Sequence, residues 1–238
     1  MYTVRLFLPR TFVTAAVLAA LLVAFAPSSE AAFITPSALV TSGGAAVGVP
    51  LTSAAPGTLL AFLDSPFSFS TTAGTTSGDL LSAVYRNSSG TLDFYYQVSD
   101  NASSATALSR ESDTSFTGFM TALAFRLDGG SLTGTGFTNG TPGIVPVTGD
   151  RDASASTVGF NFTPQPPGTK IPPGTISAVL VISTDATLYK PGNAEVIDGG
   201  TQTVAAFQPG VGTPEPGSIL LLGSGLLAVA LFRRRLAR

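Results

Sequence analysis

Acidic side chains recur at alternate positions in one short stretch, Asp150-Arg151-Asp152-Ala153-Ser154. Oxygen ligands at alternate positions are typical of the start of a calcium-binding loop. The pattern stops there, because such a loop also needs glycine at its sixth position and glutamate at its twelfth, and neither is present. We therefore interpret the stretch as a solvated turn with a local ion pair, and we predict no metal ligand and no cofactor.

A second acidic pair, Glu111 and Asp113, follows Arg110. Two carboxylates placed ~5–10 Å apart in a cleft would hydrolyse a glycoside without histidine or cysteine. Nothing in the sequence indicates that two of its acids face each other, so we favour a charged loop between strands for residues 110–113. We predict no catalytic residue and no enzyme, and a glycosidase or polysaccharide lyase is the weaker alternative.

The residue types that are missing exclude several kinds of chemistry. The chain has no Cys and no His, which excludes disulfides, thiolate or histidine metal ligands and a Ser-His-Asp triad. Residues 33–212 contain 12 acids and 6 bases, a net charge of −12 + 6 = −6, whereas the whole chain carries −2. This sparse negative charge argues against a phosphate-binding surface, so we predict no nucleic-acid partner.

Tyrosines flank a predicted hairpin and give the sequence its one candidate for sugar binding. If Tyr85 and Tyr95 face solvent together, their rings would stack on sugars, as in a carbohydrate-binding module. Cross-strand aromatic packing is the interpretation that we favour, because such pairs are common between antiparallel strands.

The elements that must position these side chains have the period of β-strands. Leu92, Phe94, Tyr96 and Val98 alternate with Thr91, Asp93, Tyr95 and Gln97, which predicts one dry face and one wet face. Similar apolar blocks occur around residues 67–69, 119–127, 158–162 and 176–182, the last apolar on both faces. Six apolar side chains are predicted to be buried: Leu92, Phe94, Tyr96, Phe125, Phe160 and Leu180.

Turn residues separate these blocks. Asn87-Ser88-Ser89-Gly90 predicts a hairpin loop, and Asp198-Gly199-Gly200 predicts a second turn. Residues 129–149 are predicted to form a long polar loop or a weak edge hairpin, and residues 164–174 a proline-rich loop. Many short strands with such turns predict an all-β fold, a single antiparallel β-sandwich or jelly-roll-like domain over residues 32–208.

The N-terminal segment has the order of a secretory signal peptide. Arg5 and Arg10 precede an apolar stretch, 11–26, and Ser29-Glu30-Ala31 places small residues at the −3 and −1 positions of a cleavage site. We predict a helical signal peptide over residues 1–31, cleavage after Ala31 and export across the inner membrane.

The C-terminal segment combines a short motif, an apolar run and a basic stop. Pro214-Glu215-Pro216 ends a linker over residues 209–217, and Ser218 to Phe232 is apolar up to Arg233-Arg234-Arg235. Fifteen residues of helix at ~1.5 Å each cover only ~22 Å of a hydrocarbon core of ~30 Å. We predict a transmembrane sorting helix at 218–238, with its arginines left in the cytoplasm.

This tail closely resembles the PEP-CTERM signal of Gram-negative bacteria. The resemblance covers about a tenth of the chain, residues 213–238, and its one departure is Thr213, where the family often has Val. It implies recognition and cleavage by an exosortase-type membrane enzyme, with membrane attachment before processing and delivery to the cell surface or outside afterwards. It also implies an association with exopolysaccharide or the biofilm matrix. The leading hypothesis is therefore a structural or interaction protein, with a carbohydrate-binding module as the first alternative.

Overall fold

The computed structural model describes residues 39–41, 56–140, 143–163 and 170–211. All regular secondary structure within these ranges is β-strand, which confirms the all-β prediction for this part of the chain. The described ranges contain no helix with the length and hydropathy needed to cross a membrane. The predicted signal-peptide helix and C-terminal helix lie outside the described residues.

The described ranges contain eleven strands, and all the pairings between them are antiparallel. They are β1 (Leu39–Thr41), β2 (Thr58–Thr71), β3 (Gly74–Arg86), β4 (Leu92–Asp100), β5 (Arg110–Asp113), β6 (Thr121–Arg126), β7 (Thr148–Arg151), β8 (Val158–Asn161), β9 (Val179–Thr184), β10 (Leu188–Ile197) and β11 (Thr201–Gly210).

The strands form two sheets that pack face to face. Sheet A has the order β2-β3-β4-β9-β6, and sheet B has the order β1-β7-β8-β5-β10-β11. One apolar core contains side chains from both sheets, as in a β-sandwich. The apolar block at residues 176–182 supplies β9, which lies between β4 and β6 as its two apolar faces predicted.

The core confirms the predicted alternation. All six side chains predicted to be buried are in it, each with at most 6% of its surface exposed: Leu92, Phe94, Tyr96, Phe125, Phe160 and Leu180. Burying an aliphatic or aromatic side chain of this size stabilises a fold by about 1.5–3 kcal/mol. These residues are therefore a major source of the stability that holds the two sheets together.

The hairpin between β3 and β4 also forms as predicted. Gly90 has φ of 84°, a left-handed conformation that glycine adopts without steric cost. The Asn87 side-chain oxygen accepts hydrogen bonds from the backbone N–H groups of Ser89 and Thr91, at 3.0 and 3.2 Å. The loop is thus closed by its own asparagine, which sets the register of the two long strands.

The predicted wet face of β4 is wrong. Tyr95 and Gln97 are buried because residues 129–140 fold across the outer face of sheet A, with Leu132 buried against Tyr95. The Gln97 amide nitrogen donates to the Thr138 carbonyl at 2.7 Å, and its oxygen accepts from the Thr138 N–H at 2.9 Å. This segment is therefore a cover for the sheet and not a free polar loop.

Candidate functional site

Glu111 and Asp113 lie on a strand and not in the predicted charged loop. They belong to β5, which pairs with β8 on one side and with β10 on the other. Because side chains alternate along a strand, Glu111 and Asp113 share one face of sheet B, and that face points into the sandwich. Arg110 points the other way, towards Asp150 of β7 and Asn161 of β8.

The two carboxyl groups are enclosed by apolar neighbours. Glu111 is 0% exposed and Asp113 is 1% exposed. The residues directly opposite them on β8 and β10 are all buried and apolar: Phe160 and Val196 beside Glu111, and Val158 and Ala194 beside Asp113. None of their four carboxyl oxygens accepts a hydrogen bond from a donor of the described chain. Two ionised carboxylates in such surroundings would cost several kcal/mol each.

Because ionised carboxylates are costly at this buried site, the protonated forms of Glu111 and Asp113 are favoured. Burial raises the pKa of Glu111 to about 7. Burial, and then the neighbouring charge of Glu111, raise the pKa of Asp113 well above its usual range. Each carboxyl group is also close enough to affect the pKa of the other, and two acids this close do not both ionise readily, so the protonated state is favoured.

Tyr96 connects this pair to the opposite sheet. It extends from β4 of sheet A, and its hydroxyl donates a 2.7 Å hydrogen bond to the Phe207 carbonyl of β11 in sheet B. Tyr96 is also close enough to Asp113 to affect the pKa of that carboxyl. The three polar side chains therefore form one buried cluster, which we call the inter-sheet cluster: Tyr96, Glu111 and Asp113.

The inter-sheet cluster is positioned to hold the sheets and not to act on a substrate. A glycoside cannot contact Glu111 or Asp113 while both are sealed between the sheets, so they do not form the open acid pair that glycoside hydrolysis needs. What the two acids can do is take up and release protons, because burial raises their pKa values and favours the protonated state in the fold.

The acids of the 150–154 stretch are occupied by donors of the chain itself. Asp150 pairs with Arg110, whose Nη2 donates at 3.0 Å, and it accepts from Asn161 Nδ2 at 2.7 Å. Burial acts to raise the pKa of Asp150, but the hydrogen bonds from Arg110 and Asn161 outweigh it and lower that pKa. Asp150 on β7 thus forms an ion pair with Arg110 on β5, whereas the sequence predicted an ion pair within the 150–154 stretch.

Asp152 and Arg151 close the turn that follows β7. Ser154 Oγ donates to Asp152 at 2.6 Å, and the Thr157 N–H donates to it at 3.0 Å. The buried Arg151 guanidinium donates to the carbonyls of Phe116 and Phe119 at 2.9 and 2.8 Å. Within the described ranges, no group of three or more acidic side chains is placed to hold a metal ion.

The tyrosines do not form a sugar platform. Tyr85 and Tyr95 are each only 2% exposed, and their ring centroids lie 4.7 Å apart beneath the segment 129–140. The hypothesis that they stack on sugars is therefore wrong, and the cross-strand packing is what the structure contains. Arg126 is also buried, and its Nη2 donates to Asp128 at 2.9 Å.

The predicted processing sites lie outside the described residues: Ala31, Pro214, Glu215, Pro216, Arg233, Arg234 and Arg235. The described part of the chain is thus a two-sheet β protein whose last strand, β11, ends at Gly210, just before the segment that carries these C-terminal residues. Residues 213–235 match the family model of the PEP-CTERM protein-sorting motif. No curated protein and no solved structure matches the chain.

The chain therefore carries a PEP-CTERM sorting motif, as its C-terminal residues predicted. This motif is the recognition signal of exosortase. It indicates a secreted protein that is processed at the membrane and then displayed on the cell surface or outside the cell.

Proposed function

We propose that the β-sandwich has a structural or interaction role outside the cell, in association with exopolysaccharide or the biofilm matrix, and that it is not an enzyme. The observation that carries the proposal is the sorting motif at residues 213–235. In this proposal the signal peptide is cut after Ala31, and the apolar run 218–232 holds the precursor in the inner membrane. Cleavage by exosortase then removes Arg233-Arg234-Arg235.

The side chains that could carry out chemistry make contacts within the fold instead, and this supports a structural role. Glu111 and Asp113, which are close together on β5, are sealed between the sheets. Asp150 is neutralised by Arg110, and the Tyr85–Tyr95 pair is covered by its own loop. The side chains that the sequence offered for catalysis, metal binding or sugar stacking thus serve the fold, which favours a scaffold over a catalyst.

The processing step is tested by replacing Pro214, Glu215 and Pro216 with Ala in the native host. The apolar run and its basic stop are untouched, so membrane insertion should persist while release should fail. Intact-mass measurement should then find a full-length, membrane-bound form in the triple variant and a form without Arg233–Arg235 in the wild type. Gly212→Ala, just outside the matched residues, is the control and should be processed normally.

Two outcomes contradict the processing proposal. One is a mature surface protein that still ends at Arg238, and the other is normal processing of the triple variant. Either would leave a simple C-terminal anchor as the function of the tail. The matrix association is tested separately, by retention of the processed protein on exopolysaccharide from the same host against an unrelated polysaccharide, and equal elution from both would reject it.

A further inference from the structure

Large apolar side chains are exposed at few places on the described surface. Four of them are Met120 at 51%, Leu188 at 48%, Tyr189 at 36% and Val211 at 72% exposure. A fifth, Phe62, lies further along β2 and packs edge-on against Phe137. Met120, Leu188, Tyr189 and Val211 lie at the same end of the sandwich, so one explanation should account for the exposure of all four.

Strand pairing and hydrogen bonds establish this common location. Leu188, the first residue of β10, lies opposite Gly210, the last residue of β11, and Val211 follows directly. The Met120 N–H donates at 2.9 Å to Asp185, in the short connection that leads into β10. We call this surface the exit end, defined by Met120, Leu188, Tyr189 and Val211, because the chain leaves the described fold here.

At the opposite end of the sandwich, none of the described large apolar side chains is exposed. It contains the turn between β2 and β3 and the turn between β10 and β11, where Gly200 lies close to the Ser70 carbonyl. Both turns consist of small and polar residues, Thr72-Ala73 and Asp198-Gly199-Gly200. Among the described residues, exposed large apolar side chains are therefore concentrated at the exit end and not distributed over both ends.

The chain that follows the exit end is short. Only residues 212–217 separate Val211 from the apolar run that begins at Ser218. At ~3.3–3.6 Å per residue, even a fully extended connection reaches only about 25 Å. If the apolar run is inserted in the membrane, a premise that rests on the proposed function, the exit end must stay within that distance of the bilayer.

We propose that the exit end rests on the outer face of the inner membrane before the tail is cut, with its apolar side chains in contact with lipid. Tyrosine favours the interface between lipid and water, where its ring is buried and its hydroxyl stays wet. Exposed Lys190 adjoins Tyr189, and exposed Arg86 ends β3 opposite Thr58 at the same end, so two cations face the anionic headgroups. Exposed Asp185 is the acid among them, and its carboxylate accepts the Met120 N–H.

This contact would orient the precursor for processing. A sandwich that can tumble freely on its tether presents the Pro-Glu-Pro motif at a variable height and angle. A sandwich that rests on lipid through the exit end holds the start of the tether against the membrane surface, where a membrane-embedded protease acts. Four partly exposed side chains provide little membrane affinity without the tail, so release after cleavage is retained.

The test uses tryptophan fluorescence, since the natural chain has no Trp. Tyr189→Trp places a single reporter at the exit end, and Thr72→Trp places a matched reporter in the exposed turn at the opposite end. The exported form, expressed in a host that lacks exosortase so that its tail is retained, is reconstituted into phosphatidylethanolamine–phosphatidylglycerol vesicles. These vesicles carry either ordinary or brominated acyl chains, and bromine quenches only tryptophan close to lipid.

The reporter at position 189 should lose fluorescence in brominated vesicles, and the reporter at position 72 should not. Adding Met120→Asp and Leu188→Asp to the Tyr189→Trp chain should reduce the quenching. Both positions are exposed, so the fold should be unaffected. Quenching that persists undiminished in that variant would mean proximity through the tether alone and would overturn the proposal, as would equal responses at positions 189 and 72.

Co-sedimentation with the vesicles separates this proposal from the proposed function. Chains that sediment with vesicles without quenching at position 189 would overturn the lipid contact and leave tail anchoring intact. Chains that fail to sediment would overturn both, because the exit end has no reason to approach lipid without an inserted tail.

Discussion

At the scale of single residues, the buried acids Glu111 and Asp113 are the feature with the clearest physical consequence. Both acids bind protons more tightly in the folded chain than in the unfolded chain, because burial raises their pKa values. A raised acid pKa contributes stability at low pH, and this contribution is lost as the pH rises through the folded-state pKa. The sandwich should therefore weaken on the alkaline side.

The expected effect can be measured by thermal unfolding as a function of pH. For Glu111, the pKa rises from 4.5 to about 7, which corresponds to roughly 3 kcal/mol of stability lost progressively between about pH 4 and pH 8. The melting temperature should fall over this range. The double variant Glu111→Gln, Asp113→Asn keeps the shapes but cannot ionise, so its melting temperature should change less with pH.

Asp100 must be separated from this effect, because burial raises its pKa to about 6 and its contribution has the same sign. Asp100→Asn is therefore the matched control, and it should leave most of the pH dependence in place. An identical pH profile in the wild type and the Glu111/Asp113 double variant would contradict the assignment.

Tyr96 carries the second prediction at this scale. Tyr96→Phe removes the donor to the Phe207 carbonyl and leaves that acceptor without its 2.7 Å partner. A buried acceptor left unpaired costs about 1–3 kcal/mol, so the midpoint of urea unfolding should fall accordingly. Tyr189→Phe is the control, since that hydroxyl is at the surface and 3.5 Å from the Leu60 carbonyl. Equal midpoints for the two variants would show that the inter-sheet hydrogen bond contributes nothing.

The inter-sheet cluster could not be predicted from the sequence, because the polar residues of β5 do not show the apolar alternation that indicates a buried strand. Arg110, Glu111, Ser112 and Asp113 are all polar, so period-2 hydrophobicity is absent where β5 forms. The burial of Glu111 and Asp113 comes from their apolar partners on β8 and β10, which lie ~50 and ~80 residues further along the chain. Phe160 lies in a predicted strand block, but its pairing with β5 could not be predicted.

At the scale of elements, the alternation of apolar and polar residues predicted where strands form. It was a poor guide to which strand faces are exposed to solvent. β4, β8 and β9 form where the apolar alternation placed them, because a strand's inward face is a local property of its sequence. The outer face of β4 depends on the segment 129–140, which covers Tyr95 and Gln97 from a distance in the chain. Its Gly, Ser and Thr content predicted a free loop, and the apolar Leu132 and Phe137 were the available signal against that.

β2 is a long edge strand with a built-in barrier to pairing. It is the last strand of sheet A, and Pro66 lies opposite Asp79 of β3. The Asp79 N–H donates to Ser99 Oγ of β4 at 3.1 Å, so the backbone of Asp79 faces away from β2. In an antiparallel pair, opposed residues either bond to each other or both point away, so the nitrogen of Pro66 faces the open edge. A proline there removes a donor that another strand could use.

Replacing Pro66 should therefore promote self-association. Pro66→Val restores the outward N–H and adds a residue with high strand propensity, so light scattering should detect dimers or larger species at high protein concentration. Ser68→Val is the matched control, because Ser68 is exposed on the same face of β2 and already has its N–H. Association of both variants to the same extent would attribute the effect to surface hydrophobicity and not to the edge.

At the scale of the whole molecule, the chain divides into parts with separate tasks. The sorting motif at the C-terminal end could be predicted directly from residue order, since such signals are recognised as local sequence, and the signal peptide at the N-terminal end is a prediction on the same basis. The folded part between them has a class that alternation predicts and a strand order that it does not, because the order β1-β7-β8-β5-β10-β11 depends on long-range pairing. This separation implies that the sandwich should not need either end to fold.

Truncation tests this independence. A chain of residues 32–211 retains β1 to β11, so its far-UV circular dichroism should show strand without substantial helix, and its melting temperature should equal that of residues 32–217. A chain that ends at Gly200 loses β11, with buried Val204 and Ala206 and the carbonyl that accepts from Tyr96. It should show no cooperative transition, because β10 and the inter-sheet cluster lose their neighbour on that side. Cooperative melting of the 32–200 chain at the same temperature, or an unfolded 32–211 chain, would show that the fold is bounded elsewhere.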